Sequence, residues 1–249
     1  MDWRLRKQII YSLIVLSILF LFSYLIFLKF KKPTIATCFD NKQNQGEEGI
    51  DCGGPCPPCE IESAEPLRIY PIKYLIYKNS IDILGVLENP NKNLAFKRLK
   101  YYFEIYDIDN NLRETTTIKE TSLDPETKKY LLEINYPKPN FTLGEIKLKI
   151  FDPDLEDLEK KQKEEISVVF YNEKIVFEDN KWKIKLNLFN KSLYSQNIEV
   201  IGLVYDVNNS LIGFSKTKIF LMPEEVKDVY LYLPELLVKP AGFEIYLQR

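Results

Sequence analysis

Three features of the 249-residue sequence predict an all-β chain behind a single apolar N-terminal helix. Twenty uncharged, mostly apolar positions occupy residues 9–28. Beyond residue 65, short stretches rich in Ile, Val, Tyr and Phe alternate in polarity or run apolar, the pattern of half-buried or buried strands. Those stretches also recur at a nearly constant offset, so the β part is a tandem repeat.

The helix comes first. Twenty residues at a rise of about 1.5 Å span roughly 30 Å, the thickness of a bilayer's hydrocarbon core. Trp3, Tyr11, Tyr24 and Phe30 stand near its ends, where amphipathic rings favour the headgroup level. A cleaved signal peptide has an apolar region of about 7–15 residues and a small-residue cleavage site. Here "KFKKP" follows instead, which predicts an uncleaved anchor over residues 8–28 in the lipid bilayer. Charge leaves the orientation undecided, because Arg4, Arg6 and Lys7 on one side balance Lys29, Lys31 and Lys32 on the other.

All four cysteines, Cys38, Cys52, Cys56 and Cys59, lie in "TCFDNKQNQGEEGIDCGGPCPPCE", just past the apolar run. A four-thiolate zinc site prefers two paired knuckles, and only Cys56 and Cys59 supply one. A redox reading of "CPPC" expects a helix after the first thiol, but "EIESAEP" reads as extended chain. An even number of cysteines among Gly and Pro beside an anchor favours disulfides, with the pairing unspecified. The segment resembles a short module, C-x-D-x-x-Q-N-x-x-E-x-G-x-D-C-G-G-x-C-x-x-C, found in secreted and surface-anchored microbial proteins. Asp40, Gln43, Asn44, Glu47, Gly49, Asp51, Gly53 and Gly54 fit it, and Asn41 replaces the usual Gly. The resemblance implies an extracellular location and no activity. The oxygens of Asp40, Asn44, Glu47 and Asp51 suit calcium, though the spacing is not that of an EF-hand; tight turns capped by these side chains are the alternative. Disulfides place everything beyond residue 28 outside the cytoplasm, which breaks the tie over orientation.

Within the repeat, Tyr106-Asp107 matches Tyr205-Asp206, Leu112 matches Leu211, Pro125 matches Pro223 and Tyr130 matches Tyr230. "DIDNNL" and "DVNNSL" are Asn-rich hairpin turns. Six or so strands in each copy predict two tandem immunoglobulin-like β-sandwiches. "DPDLEDLEKKQKEE", residues 152–165, is charged on nearly every side and predicts a short solvated helix. The expected organisation is a cytoplasmic tail (1–7), a membrane helix (8–28), a Cys-rich stalk (29–65), a first sandwich (66–153), a charged linker (154–165) and a second sandwich (166–249). "FEIYD", residues 103–107, resembles the signature strand of FxLYD-type and CARDB-like domains, immunoglobulin-like modules of bacterial and archaeal surfaces. Pro125-Glu126 and Pro223-Glu224 occupy the following motif, while the second copy has Gly202 in place of the Phe. Tyr106 and Tyr205 are expected in the core or at a corner, with Asp107 and Asp206 opening the turns.

Composition narrows the function. The net charge of −2 gives no basic excess for nucleic acid, and the absence of histidine removes imidazole bases and ligands. No nucleophile elbow, phosphate loop or zinc-protease motif occurs, so a non-enzymatic role is expected. Asn140, Asn190 and Asn208 begin glycosylation sequons. The expected protein is a single-pass cell-membrane protein that binds or scaffolds an envelope or extracellular protein or polymer. The alternatives are an accessory subunit of a secretion, pilus or division assembly, and a redox or metal carrier built on the Cys segment.

Overall fold

The structure, a computed structural model, describes residues 3–30, 38–61, 64–154 and 157–249. The chain divides into two compact units, Met1–Cys56 and Pro57–Arg249.

In the first unit, α1 runs Trp3–Phe30. Side chains are described continuously over residues 10–24, and every one of them is exposed. Among the described residues no helix is long and apolar enough to cross a membrane. Lys31 and Lys32, which entered the charge comparison, lie outside the described residues.

The second unit opens with a short 3-10 helix, Cys59–Ile61, and its described strands all pair antiparallel. Its first copy holds β1 (Arg68–Ile69), β2 (Lys73–Ile76), β3 (Ser80–Asn89), β4 (Leu94–Asp107), β5 (Leu112–Thr115), β6 (Lys119–Leu123), β7 (Thr127–Pro137), β8 (Leu143–Ile150) and β9 (Leu158–Lys160). The second holds β10 (Val168–Glu178), β11 (Lys181–Asn190), β12 (Gln196–Tyr205), β13 (Leu211–Leu221), β14 (Val226–Tyr232) and β15 (Gly242–Gln248). In the first copy, β3 carries β1 and β2 along one edge and β7 along the other. Facing it, β4 carries β5 and β6 on one edge and β8 and β9 on the other. The second copy repeats the plan as β10-β11-β14 and β13-β12-β15. Each pair of sheets closes on its own core: Ile81, Ile83, Phe103, Ile105 and Leu148 in the first, Ile184, Leu188, Val200, Val204 and Leu231 in the second. These are β-sandwiches, with side chains alternating across each strand.

The described residues of the 152–165 stretch depart from the expected helix. Their central part is the strand β9, and Leu158, 9% exposed, seals the first core. The cause is tertiary: β4 is 14 residues long, β8 pairs only Tyr101 to Asp107, and β9 satisfies the open edge at Leu94 to Phe96.

Nor are the copies beads on a linker. The outward face of the β3–β7 sheet packs on the outward face of the β12–β13 sheet, burying Leu84, Leu132, Ile201, Leu203 and Phe214 together. Tyr130 stacks on Tyr246 with centroids 4.3 Å apart. The Gln248 amide exchanges hydrogen bonds with the Tyr130 backbone at 2.9 and 3.0 Å, and Lys216 Nζ donates to the Leu132 carbonyl at 3.1 Å. Four sheets therefore stack in series. In strand order, Leu84 and Val86 of β3 correspond to Lys185 and Asn187 of β11. Likewise Ile201 and Leu203 of β12 correspond to Tyr102 and Glu104 of β4. Each outer sheet is thus polar where its counterpart at the seam is apolar.

The cores diverged in a compensating way too. Phe103 of β4 lies against Gly85 of β3, where an added Cβ would stand 3.1 Å from the ring. Gly202 takes the place of that Phe in the second copy, and Ile184 and Leu231 fill the space it leaves.

Buried phenols make the unit sensitive to alkali. Burial pushes Tyr101 up to about 12, and burial with the Glu114 carboxylate as acceptor pushes Tyr136 up to about 12, from an ordinary value of 10.0. The unfolded chain loses these protons near pH 10 and the folded chain near pH 12. Stability is therefore fully present below pH 10 and falls as the pH rises from 10 to 12. Phenolate absorbance followed alongside circular dichroism checks this; ionisation of all 16 tyrosines near pH 10 with the fold intact would refute it.

Candidate functional site

The Cys segment folds as a series of tight turns. Cys38 is bonded to Cys56, Cys52 and Cys59 are disulfide-bonded as well, and no cysteine is free. A bridge spanning 18 residues contributes about 3 kcal/mol in the chain-entropy account. Glu47, 7% exposed, packs its Oε1 3.2 Å from Cys56 Sγ. Cys38, Glu47 and Cys56 form a close donor group, but both sulfurs are consumed in the bridge and supply no thiolate.

Three of the four candidate calcium ligands, Asp40, Glu47 and Asp51, are occupied in shaping these turns, while Asn44 takes part as a donor and its side-chain oxygen is buried without a hydrogen-bond partner. The two Asp51 oxygens accept the Asp40 and Asn41 amides at 2.9 and 2.8 Å. Asp40 accepts the Lys42 amide and the Asn44 side chain, each at 3.0 Å. Glu47 Oε2 accepts the amides of Asn44 and Asp51 at 3.1 and 3.3 Å. Gln43 donates to the Glu48 carbonyl at 3.0 Å. The network of Asp40, Glu47 and Asp51 caps these turns. Asn41, in the usual glycine position, has φ 58°, a left-handed conformation that Asn tolerates. Gly54 has φ 60°, and a Cβ there would stand 2.2 Å from the Gly46 carbonyl oxygen, so only glycine fits.

The strand-end residues are architectural. Asp107 Oδ1 accepts the amides of Asp109 and Asn111, and Asp206 Oδ1 those of Asn208 and Ser210. Asn110 and Asn209 take φ 62° and 61° in the same turn. Tyr106 donates to Glu104 at 2.8 Å and Tyr205 to Glu244 at 2.8 Å.

The sequons separate sharply. Asn140 and Asn208 are exposed, but Asn190 is fully buried. Its Nδ2 donates to the carbonyls of Tyr194 and Met222, both at 2.8 Å, and its Oδ1 accepts the Ser192 amide at 3.0 Å. Asn190 is therefore corrected from glycan acceptor to loop clamp, because a glycan on Nδ2 would need the position those two bonds fill. Asn89, also fully buried, repeats the clamp with Leu94, Asp124 and Asn91. The repeated last residue of β3 and β11 was the available sequence signal.

The site and fold together define an all-β tandem sandwich protein with a disulfide-closed turn module. No protein-family model matches the chain, and no curated protein is significantly similar to it.

Proposed function

We propose that the protein is a single-pass, membrane-anchored surface protein without enzymatic activity. Residues 8–28 span the bilayer, the N-terminus is cytoplasmic, and two immunoglobulin-like sandwiches present faces and loops to an envelope or extracellular partner. The observation that carries this reading is the oxidised state of all four cysteines beyond an apolar helix. Disulfides persist in oxidising compartments, and a helix whose described side chains over residues 10–24 are mostly apolar and exposed suits lipid. Phe103 and Ile105 are buried in the first core while Tyr106 and Asp107 form the strand end, a rigid scaffold from which faces and loops are presented.

Thiol labelling of intact cells tests it. With a membrane-impermeant maleimide we expect no labelling before reduction and four labels per chain after it. Labelling of all four cysteines without reductant would overturn both the disulfides and the topology built on them. Crosslinking in intact cells then identifies the partner.

A further inference from the structure

The two copies share a buried asparagine at corresponding loops but expose different residues beyond it. Asn89 clamps its loop to the Asp124 carbonyl, and the outermost residues there are Lys92, Asn93 and Glu126. Asn190 clamps the carbonyls of Tyr194 and Met222, and the outermost residues are Leu193, Tyr194 and Met222, 75%, 78% and 55% exposed. Ser195 Oγ lies 3.9 Å from Met222 Sδ, so the two loops touch and form one apolar tip. Lys191 and Lys227 beside it are matched by Glu224 and Glu225, which leaves the tip without a net charge.

Both clamped ends face the same way. Lys129 and Tyr130, near the start of β7, meet Arg249 and Gln248 at the end of β15, and Leu132, farther along, meets Lys216. The chain also enters this unit at that end. The Glu65 amide donates to Asn91 Oδ1 at 2.8 Å, Asn91 Nδ2 donates back to the Glu65 carbonyl at 2.9 Å, and Glu60 pairs with Lys160, opposite Leu94, at 3.2 Å. The far end exposes Val207, Leu237 and Val238 as well, so apolarity alone does not single out the tip; the direction from which the chain arrives does.

We propose that the tip of Leu193, Tyr194 and Met222 docks into the headgroup boundary of the bilayer that anchors the chain. A tyrosine between leucine and methionine suits that depth, where the ring stays half wet while aliphatic neighbours reach the acyl boundary. A small tip suffices, because an anchored chain holds this end near lipid at high effective concentration. Lys92 and Asn93 of the first copy stay in water. The proposal rests on the reading of residues 8–28 as a membrane anchor and gives that reading a second lipid contact.

The test uses the full chain in phosphatidylcholine vesicles. No cysteine is free, so Tyr194→Cys introduces a single site for an environment-sensitive thiol dye, and Asn208→Cys does the same beside Val207 at the far end. Nitroxide-bearing lipids are expected to quench the dye at position 194 about threefold or more as strongly as at 208, with no loss in high salt, since apolar burial drives the contact. Adding Leu193→Glu and Met222→Glu is expected to bring quenching at 194 down to the level at 208. Both side chains are exposed and the Asn190 bonds go to backbone carbonyls, so the loops keep their shape. Equal quenching at the two positions, or quenching that survives the double substitution, would overturn the proposal. So would a blue-shifted but unquenched dye at 194, which would mean that a second copy of the chain covers the tip. Flotation separates the two readings: a chain that floats with the vesicles but is unquenched at 194 sinks the docking alone, and one that does not float sinks the anchor and the docking with it.

Discussion

Phe214→Ala is expected to cost about 3–5 kcal/mol, the range for truncating a fully buried Phe. Phe214 is 0% exposed although it sits on the outward face of its own sandwich. Its neighbours across the seam are Leu84 and Leu132, so the loss falls on the junction of the copies and not on either core alone. With the seam intact, residues 57–249 are expected to unfold in one urea transition, because neither sandwich can expose its seam face without penalty. In the variant that transition moves to lower urea and splits in two as the sandwiches uncouple. Far-ultraviolet circular dichroism of the full chain in micelles reads both effects. A loss below about 1 kcal/mol would mean that the seam is a loose contact that water already enters.

The second large effect is expected at the paired asparagines. Asn190→Ala leaves the carbonyls of Tyr194 and Met222 and the amide of Ser192 without the partners they now have. Each unsatisfied buried group costs about 1–3 kcal/mol, and water reaching the loops recovers part of it, so the expected loss is about 2–4 kcal/mol. Asn89→Ala is expected to match it, because the three bonds are repeated in the first copy. Asn190→Asp keeps the acceptor for Ser192 but turns a carboxylate oxygen toward two carbonyls, and is expected to be no better than Ala at neutral pH. Chemical denaturation of the three variants measures all of this. Wild-type stability in Asn190→Ala would show that the loops hold themselves. On intact protein from a glycosylating host, any glycan is expected at Asn140 or Asn208 and none at Asn190.

Much of the architecture could be read without coordinates, because hairpins and half-buried strands write their geometry locally. The turns at Asp107 and Asp206 follow from a short acceptor side chain and a left-handed Asn three residues later. The disulfide state of the Cys segment followed from an even number of cysteines crowded among glycines and prolines just past an apolar helix. Long-range pairing was harder. "DLEDLEKK" has helix-forming residues and charges on all sides, yet one leucine in it is needed to close β4. The seam was hidden by treating each repeat alone. Set side by side, "IDILGVLEN" is apolar on both faces while "KWKIKLNLF" alternates with lysine and asparagine. Likewise "IEVIGLVYD" is apolar on both faces while "LKYYFEIYD" is not. A strand buried on two sides reads as a continuous apolar run, so that comparison identifies both sheets of the junction.

The junction joins unlike faces of like units, a translation along the stack with no two-fold axis. Contacts of that kind do not close on themselves, and a third unit could in principle add at either end without limit. The chain halts the series by chemistry: Lys185 and Asn187 at one end, and Tyr102 and Glu104 at the other, stand where leucine, valine and isoleucine make the joint. These residues act as the end caps of a two-unit array. Stripping them would turn a two-unit chain into the monomer of a fibre.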